Sequence, residues 1–382
     1  MRTLLFIILL FFFTTNISAS IKLSKDATIS ILTCAPGNEL YSLFGHTGIR
    51  VVDEPNNIDV VFNYGTFNFA TQGFYLKFAR GLLPYQLSCS EFRHFLTSYI
   101  YDERSVYSQT LNLDSIQKQR MIDLLIENYQ PANREYLYNF LYDNCSTRIR
   151  DIIEKSTDAP ISWIAQPSNK SFWNLLDEYL SRSPWIQWGI HTILGSPATS
   201  TATIHEQMFL PDYLMFHLDS ALYNKVPLVQ PIETIYEAPK RDFSTPWYFS
   251  PFFVFTICTL ALILLLQKIK KRCLLKTIAT LFFIITGIIG CLIVFLCFFT
   301  KHPTMFPNFN ALWANPLNLI VAFFLRKNTQ RWIINKYLFI YFYLLVIGFL
   351  LWFLFVPAVP YSSMIIMIWM MYLCYRLRQN EK

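Results

Sequence analysis

The chain changes character along its length. Short runs rich in β-branched and aromatic residues, separated by turn residues, fill the first third; mixed helical segments follow; long apolar segments occupy the last third. Asp26 to Thr33, a run within Tyr41 to Val52 that is entered at His46, Asp59 to Tyr64, Tyr85 to Ser90 and Arg104 to Leu111 read as strands, and Glu91 to Tyr99 reads as a helix. Glu54-Pro55-Asn56-Asn57 turns the chain, which predicts a hairpin from His46 to Tyr64 with Gly65 breaking its second strand. Ser115 to Tyr129 places Ile116, Met121, Leu124, Leu125 and Tyr129 at helical spacing and ends at Pro131. Ile149, Ile152 and Ile153, set among Arg148, Arg150, Asp151 and Lys155, predict a second amphipathic helix that begins near Cys145. Beyond it the pattern predicts a helical piece near Phe172 to Leu180, a loop wall over Trp185 to Pro197, helices over Thr203 to Leu210 and Tyr213 to Tyr223 interrupted at Pro211-Asp212, and a proline-containing linker from Lys225 to Lys240.

Five apolar segments come last, near Trp247 to Gln267, Leu274 to Phe299, Leu312 to Leu325, Tyr337 to Pro357 and Met364 to Tyr375. The third and fifth are short against the roughly 20 residues that a membrane span needs. At the other end, Arg2, the apolar run Leu4 to Phe13 and the small residues up to Ala19 and Ser20 have the layout of a signal peptide. The expected organisation is therefore a signal peptide over 1–20, an exported domain over 21–240 and a five-helix transmembrane domain over 241–382.

Composition agrees. Hydrophobic residues make up 53% and aromatics 17%, with a mean hydropathy of +0.32, too apolar for a soluble domain alone. The net charge of +7 is explained by topology rather than by nucleic acid. Lys268, Lys270, Lys271 and Arg272 follow the first apolar segment, Arg326, Lys327, Arg331 and Lys336 the third, and Arg376 and Arg378 the fifth, whereas the other two loops hold only Lys301. The positive-inside rule then puts the N-terminal domain outside and the C-terminus in the cytoplasm. The stretch Phe67 to Tyr85 is dense in aromatics with Lys77 and Arg80 interspersed; it reads either as core or as a surface that meets lipid.

The candidate chemistry centres on Asp143-Asn144-Cys145-Ser146. A cysteine at a helix N-terminus is favoured as the thiolate, which is the nucleophilic form. Its expected base is His46, far away in sequence, as is usual for such pairs. Asn63 or Asp53, at the far side of the same hairpin, could orient the imidazole. Taken alone, a small cysteine and a distant histidine are more often structural. Cys34 and Cys89 are either a disulfide or two buried thiols. His191 is a second histidine that could line a pocket, or an incidental loop residue. The outer stretch from His302 to Pro316 carries His302, Asn308, Asn310 and Asn315, which are costly near hydrocarbon unless they are paired or line a cavity; it reads as an entry for a lipid headgroup or peptide, or as an ordinary interfacial loop. No Cys-x-x-Cys or His-Glu-x-x-His spacing occurs, so neither a metal nor another cofactor is expected.

Phe44-Gly45-His46-Thr47-Gly48-Ile49-Arg50, Asn63-Tyr64-Gly65-Thr66-Phe67 and Asp143 to Asp151 together resemble the Lnb family, and the tail with His302 and Asn308 to Trp313 resembles the Lnb transmembrane domain. The order of a strand histidine followed by an Asn-Cys helix start is also similar to permuted papain-like folds of the NlpC/P60 type, including the lecithin:retinol acyltransferase group. That resemblance implies an α+β fold, permuted papain-like in the exported domain, followed by an all-α five-span domain. It implies a lipoprotein N-acyltransferase of the inner membrane. Such an enzyme takes a fatty acyl chain from a membrane phospholipid through a Cys145 thioester. It delivers the chain to the α-amine of a diacylglyceryl-cysteine lipoprotein. His46 and Asn63 would complete the catalytic set, and Asn144, Tyr64, His302 and Asn310 would contact substrate. The retinol acyltransferase group has a histidine on the neighbouring strand where this chain has Asn63. The other readings are a cysteine peptidase or amidase acting on peptidoglycan, for which a five-span tail is unnecessary, and a non-enzymatic membrane scaffold.

Overall fold

A computed structural model describes residues 21–164, 169–239, 245–268, 271–327, 329–355 and 358–379. The segment read as a signal peptide, 1–20, lies outside the described residues. The first part of the chain builds β1 (Thr28–Cys34), β2 (His46–Asp53), β3 (Ile58–Thr66), α1 (Phe74–Ala79), β4 (Pro84–Glu91), α2 (Phe92–Tyr101), β5 (Val106–Thr110), α3 (Ser115–Tyr129), β6 (Glu135–Leu137) and α4 (Cys145–Ser156). The main sheet runs β6-β4-β3-β2-β1-β5-β9 with antiparallel neighbours throughout, its last strand β9 (Glu233–Tyr236) supplied by the segment read as a linker. β9 is a short edge strand, and four residues carry too little period-two signal to announce it.

Side chains alternate across a strand, so each strand feeds two cores. Ile29, Ile31, Ile49, Val51 and Phe62 pack under α3 and α4, against Met121, Leu125, Ile149, Ile152 and Ile153. Leu32, Cys34 and Val61 face the other way, against Phe95 and Tyr99 of α2. Cys34 and Cys89 are free thiols. They lie on β1 and β4 with two strands between them, about 14 Å at the usual strand spacing, twice what a disulfide spans.

A helical layer follows: α5 (Phe172–Leu180), α6 (Pro184–Ile193), α7 (Ile204–Gln207) and α8 (Pro211–Ser220), then the hairpin β7 (Leu222–Tyr223) and β8 (Val226–Pro227). The loop wall expected over Trp185 to Pro197 is instead mostly helix. Pro184 sits at its first helical position, where a missing N–H costs nothing. Pro211 likewise opens α8 rather than interrupting a helix.

Among the described residues the C-terminal part holds five α-helices: α9 (Pro251–Lys268), α10 (Arg272–Phe299), α11 (Asn318–Lys327), α12 (Arg331–Phe355) and α13 (Tyr361–Gln379). Among the described residues, three stretches are long and apolar enough to cross a membrane, Pro251–Lys268, Arg272–Phe299 and Arg331–Phe353. The helix α11 has only 10 residues, about 15 Å of rise. Polar groups in this bundle pair with one another: Asn318 Nδ2 donates to Thr286 Oγ1 at 2.9 Å and Tyr341 Oη at 3.2 Å, and its Oδ1 accepts from Tyr337 Oη at 2.6 Å. Close approach is also used: a Cβ on Gly290 would fall 2.1 Å from the Ala314 carbonyl oxygen.

The two parts are clasped by the loop after α10. The last carbonyls of a helix have no partner within it, and those of α6 are taken by this loop. Asn308 Nδ2 donates to Thr192 O at 3.1 Å and Ile193 O at 2.9 Å, and Asn310 Nδ2 to His191 O at 3.3 Å. Gly195 N–H and Ser196 N–H donate back to Thr304 O at 2.8 Å and Pro307 O at 2.7 Å. Asn310 also donates to Ala358 O and accepts from Trp313 Nε1 at 2.9 Å, with none of its own surface exposed. Asn308 and Asn310, which look costly in sequence, are thus paired across the junction.

Asn310→Leu leaves three buried partners without their bond, each worth roughly 1–3 kcal/mol. The full chain in detergent is expected to melt several degrees lower. Asn315→Ala, which loses only a local acceptor for Leu317 N–H, is expected to melt as the parent does. Equal melting of the two variants would contradict the clasp.

Candidate active site

Helix α4 starts at Cys145, and Asn144 fixes that start. Asn144 Oδ1 accepts from Ser146 N–H at 2.9 Å and Thr147 N–H at 3.0 Å, while Thr147 Oγ1 accepts from Asn144 N–H at 2.8 Å. This reciprocal cap satisfies N–H groups that the helix cannot. The Asn144 amide donates its other two hydrogens to Phe140 O and Phe209 O, both at 2.8 Å. The thiol therefore sits on the first turn, 7% exposed, where the helix dipole favours negative charge.

His46 begins β2 opposite. Gly45 precedes it with φ +79°, and a Cβ there would fall 2.8 Å from Cys34 O, so only glycine lets the chain enter the strand this way. Thr47 Oγ1 and Ser146 Oγ lie 2.9 Å apart and tie β2 to α4. The break expected at Gly65 is a bulge instead: β3 continues to Thr66 and its register to β4 shifts between Asn63 and Thr66. Bulges re-aim side chains, and here Asn63 Oδ1 meets His46 Nε2 at 2.5 Å. With the amide oxygen accepting, Nε2 carries the proton and Nδ1 is the basic nitrogen. Gly65 has φ +91°, and a Cβ on it would lie 3.8 Å from His46 Cε1, 3.9 Å from Cys145 Cβ and 4.0 Å from Tyr138 Cε2. The missing side chain leaves open the place where these three groups converge.

The electrostatics follow. Burial alone would push the Cys145 thiol up, but the imidazole of His46, the Thr47 N–H and the Ser146 hydroxyl reverse this and hold it below the ordinary thiol range. Burial alone would pull His46 down, but the Cys145 thiolate and Asn63 reverse that and raise it. The shifts are opposed, each group favouring the charged form of the other. At Cys34 burial outweighs the Arg104 guanidinium and the Tyr99 hydroxyl, and the thiol is pushed up to about 12.

The sequence-level candidates divide clearly. His46, Asn63 and Cys145 come together. Asp53 does not: it lies at the far end of β2, buried, and accepts from Ser24 N–H at 2.8 Å and Ser24 Oγ at 2.6 Å. Asn144 and Tyr64 stand behind the pair with their polar atoms used, Tyr64 Oη accepting from Asn128 Nδ2 at 2.9 Å. His302 and Asn310 belong to the clasp, the His302 ring facing the Phe78 and Ala79 carbonyls. His191 is 3% exposed, its ring centroid 3.7 Å from that of Trp173 and tilted to it, and burial pulls its pKa down to about 3. Tyr138 is the residue that pattern reading misses; it enters from the irregular approach to Asn144, which has no period to place it.

The pair also sits near the membrane helices. Leu43 and Leu141, just upstream of His46 and Cys145, share one buried cluster with Leu296 near the end of α10 and Met305 of the clasp. A cavity of about 1440 Å³ beside Ala35, Tyr101 and Arg182 does not include Cys145. Asp151, Glu154 and His205 bring possible metal-binding atoms within 4.8 Å, but Asp151 already pairs with Arg150 at 2.6 Å and His205 with Glu154 at 3.5 Å.

Fold and site together define a two-part membrane protein: a mixed α/β domain with a buried Cys–His pair, followed by a helical region. Residues 14–171 match the family model of the Lnb N-terminal periplasmic domain, and residues 242–380 match that of the Lnb transmembrane domain. The chain belongs to the Lnb family, and its N-terminal domain is periplasmic. Neither a curated protein nor a solved structure matches it significantly.

Alkylation of Cys145 by iodoacetamide, read by peptide mass spectrometry on the full chain, is expected to proceed below the ordinary thiol range, about pH 8.5. His46→Ala removes the largest of the groups that oppose burial, and the rate at pH 7 is expected to fall roughly tenfold for each unit by which the thiol rises. An unchanged rate in His46→Ala would rule out the pair.

Proposed function

We propose that the protein is a lipoprotein N-acyltransferase working by a Cys145 thioester. The observation that carries this reading is the lowered thiol of Cys145 beside an Asn63-held His46, at the end of the domain that rests on the membrane helices. In the first half-reaction the thiolate attacks a phospholipid ester carbonyl. The C–O bond breaks, His46 gives its proton to the departing alkoxide, and a lysophospholipid leaves. In the second, the free α-amine of a diacylglyceryl-cysteine lipoprotein attacks the thioester. Neutral His46 takes the amine proton, the C–S bond breaks, and the thiolate–imidazolium pair is restored. Asn63 acts through His46 as a positioning residue, and Asn144 acts through Cys145. The Cys145 N–H, at the free end of α4, is suited to hold the oxyanion. Burial of the pair keeps water from the thioester.

In this reading the papain-like relationship and five spans complete the architecture, with division near residue 240 and the C-terminus in the cytoplasm. Both substrates live in the bilayer, which gives the clasp between the parts a purpose that a peptidoglycan amidase would not need.

The test uses a strain lacking its own lipoprotein N-acylation. Wild type, Cys145→Ala and His46→Ala are made at equal levels, and the N-terminal lipopeptide of one lipoprotein is weighed. A third acyl chain with wild type alone is expected. A lipopeptide that stays diacylated with wild type overturns the reaction; acylation by Cys145→Ala overturns the nucleophile.

A further inference from the structure

The mechanism leaves one feature of the periplasmic domain unused. Between β3 and β4, Phe69, Tyr75, Leu76 and Phe78 are 70%, 83%, 60% and 52% exposed. Large apolar side chains grouped like this on a surface mark a contact with something apolar. Their place in the fold says what that is. The C-terminal end of α1 is held by the residues that leave α10: Lys301 N–H donates to Arg80 O at 3.0 Å, and the His302 ring lies where a Cβ on Gly81 would meet it at 3.2 Å. The helix α10 ends at Phe299, itself 63% exposed. Two residues of extended chain reach only about 7 Å, so α1 lies at the level where that span leaves the hydrocarbon. Three exposed cations share this level, Lys77, Arg80 and Lys301, and none forms an ion pair among the described residues. Exposed aromatics mixed with unpaired cations suit the headgroup region of a bilayer.

The patch also leads inward. Ring contacts run from Phe78 to Phe74 at 6.3 Å, Phe74 to Phe67 at 5.8 Å, Phe67 to Tyr85 at 5.2 Å and Tyr85 to Tyr138 at 4.4 Å. Tyr138 is the third member of the group that converges on Gly65 with His46 and Cys145. A chain of packed rings thus runs from the exposed patch to the group beside Cys145.

We infer that α1 and its flanking loops are a lipid portal. A diacyl phospholipid of the periplasmic leaflet seats its phosphate among Lys77, Arg80 and Lys301, and its acyl ester reaches Cys145 along the aromatic track. The route rests on the acyltransferase reading; the lipid seat does not.

The full chain, reconstituted in phosphatidylethanolamine–phosphatidylglycerol vesicles, would carry a photo-reactive p-benzoylphenylalanine at position 78. The control position is 116. Ile116 is 69% exposed at the start of α3, beside the Thr28 end of β1, where Lys118 Nζ bonds Ala27 O at 2.7 Å. A phospholipid adduct at 78 and none at 116, in wild-type and Cys145→Ala backgrounds alike, is expected. No adduct at 78, or equal adducts at both, would overturn the portal. In the same vesicles Leu76→Ser with Phe78→Ser is expected to slow acylation of a diacylated lipopeptide severalfold, and an unchanged rate would overturn the route. Failure of wild type to acylate at all would instead remove the acyltransferase reading, while the adduct still decides the lipid seat.

Discussion

The site depends on one capped helix end. Asn144 spends all four of its amide bonds there: two close the first turn of α4, and two tie that turn to the Phe140 and Phe209 carbonyls. A cap of this kind contributes roughly 0.5–2 kcal/mol, but its larger effect is positional. It sets Cys145 on the first turn, and the Thr47–Ser146 hydroxyl pair then sets that turn against β2, where His46 stands. Burial works against a charged thiol, and the imidazole, a backbone N–H and a hydroxyl together outweigh it. At Cys34 the balance goes the other way: Arg104 and Tyr99 act against burial there but do not outweigh it.

The second constraint is the junction. A polar loop beside apolar helices is costly unless every group is paired. Asn308 and Asn310 meet it by completing the C-terminal end of α6, so the same bonds that satisfy the loop lock the periplasmic domain to the bundle. Leu43 and Leu141 extend that contact to within a few residues of His46 and Cys145. The Cys145–His46 pair is thereby held at the end of the sheet nearest the helical part, while Asp53 and Ser24 tie down the opposite end.

Much of this was legible in the chain. Ser115 to Tyr129 is a helix over the bounds its periodicity implies, because its apolar face is continuous and Asp114 caps it. The Asn-Cys start of α4 was readable for the same reason. The strands around His46 were found, but Gly65 read as a break, since the residue that marks a bulge also marks a turn. The helix α6 was missed because its tryptophans and small residues carry weak helical pattern, although Pro184 at its first turn was a usable signal. Five apolar segments were counted and five helices are present, yet only three stretches reach span length and composition among the described residues; packing around Asn318, rather than length, orders the short α11. Tyr138 and the clasp were out of reach, because long-range pairing has no local period. The apparent choice for the outer loop, between substrate entry and a plain interfacial loop, omitted what it does here, which is to join the two parts.

The proposed mechanism requires Cys145 to carry the acyl chain. The most direct measurement is intact-protein mass spectrometry of the full chain in phospholipid vesicles without an acceptor amine. The account predicts a mass gain of one fatty acyl group on Cys145, removed by neutral hydroxylamine as a thioester is, and absent in His46→Ala. Wild-type protein that gains no acyl group, or that gains one on another residue, would contradict it.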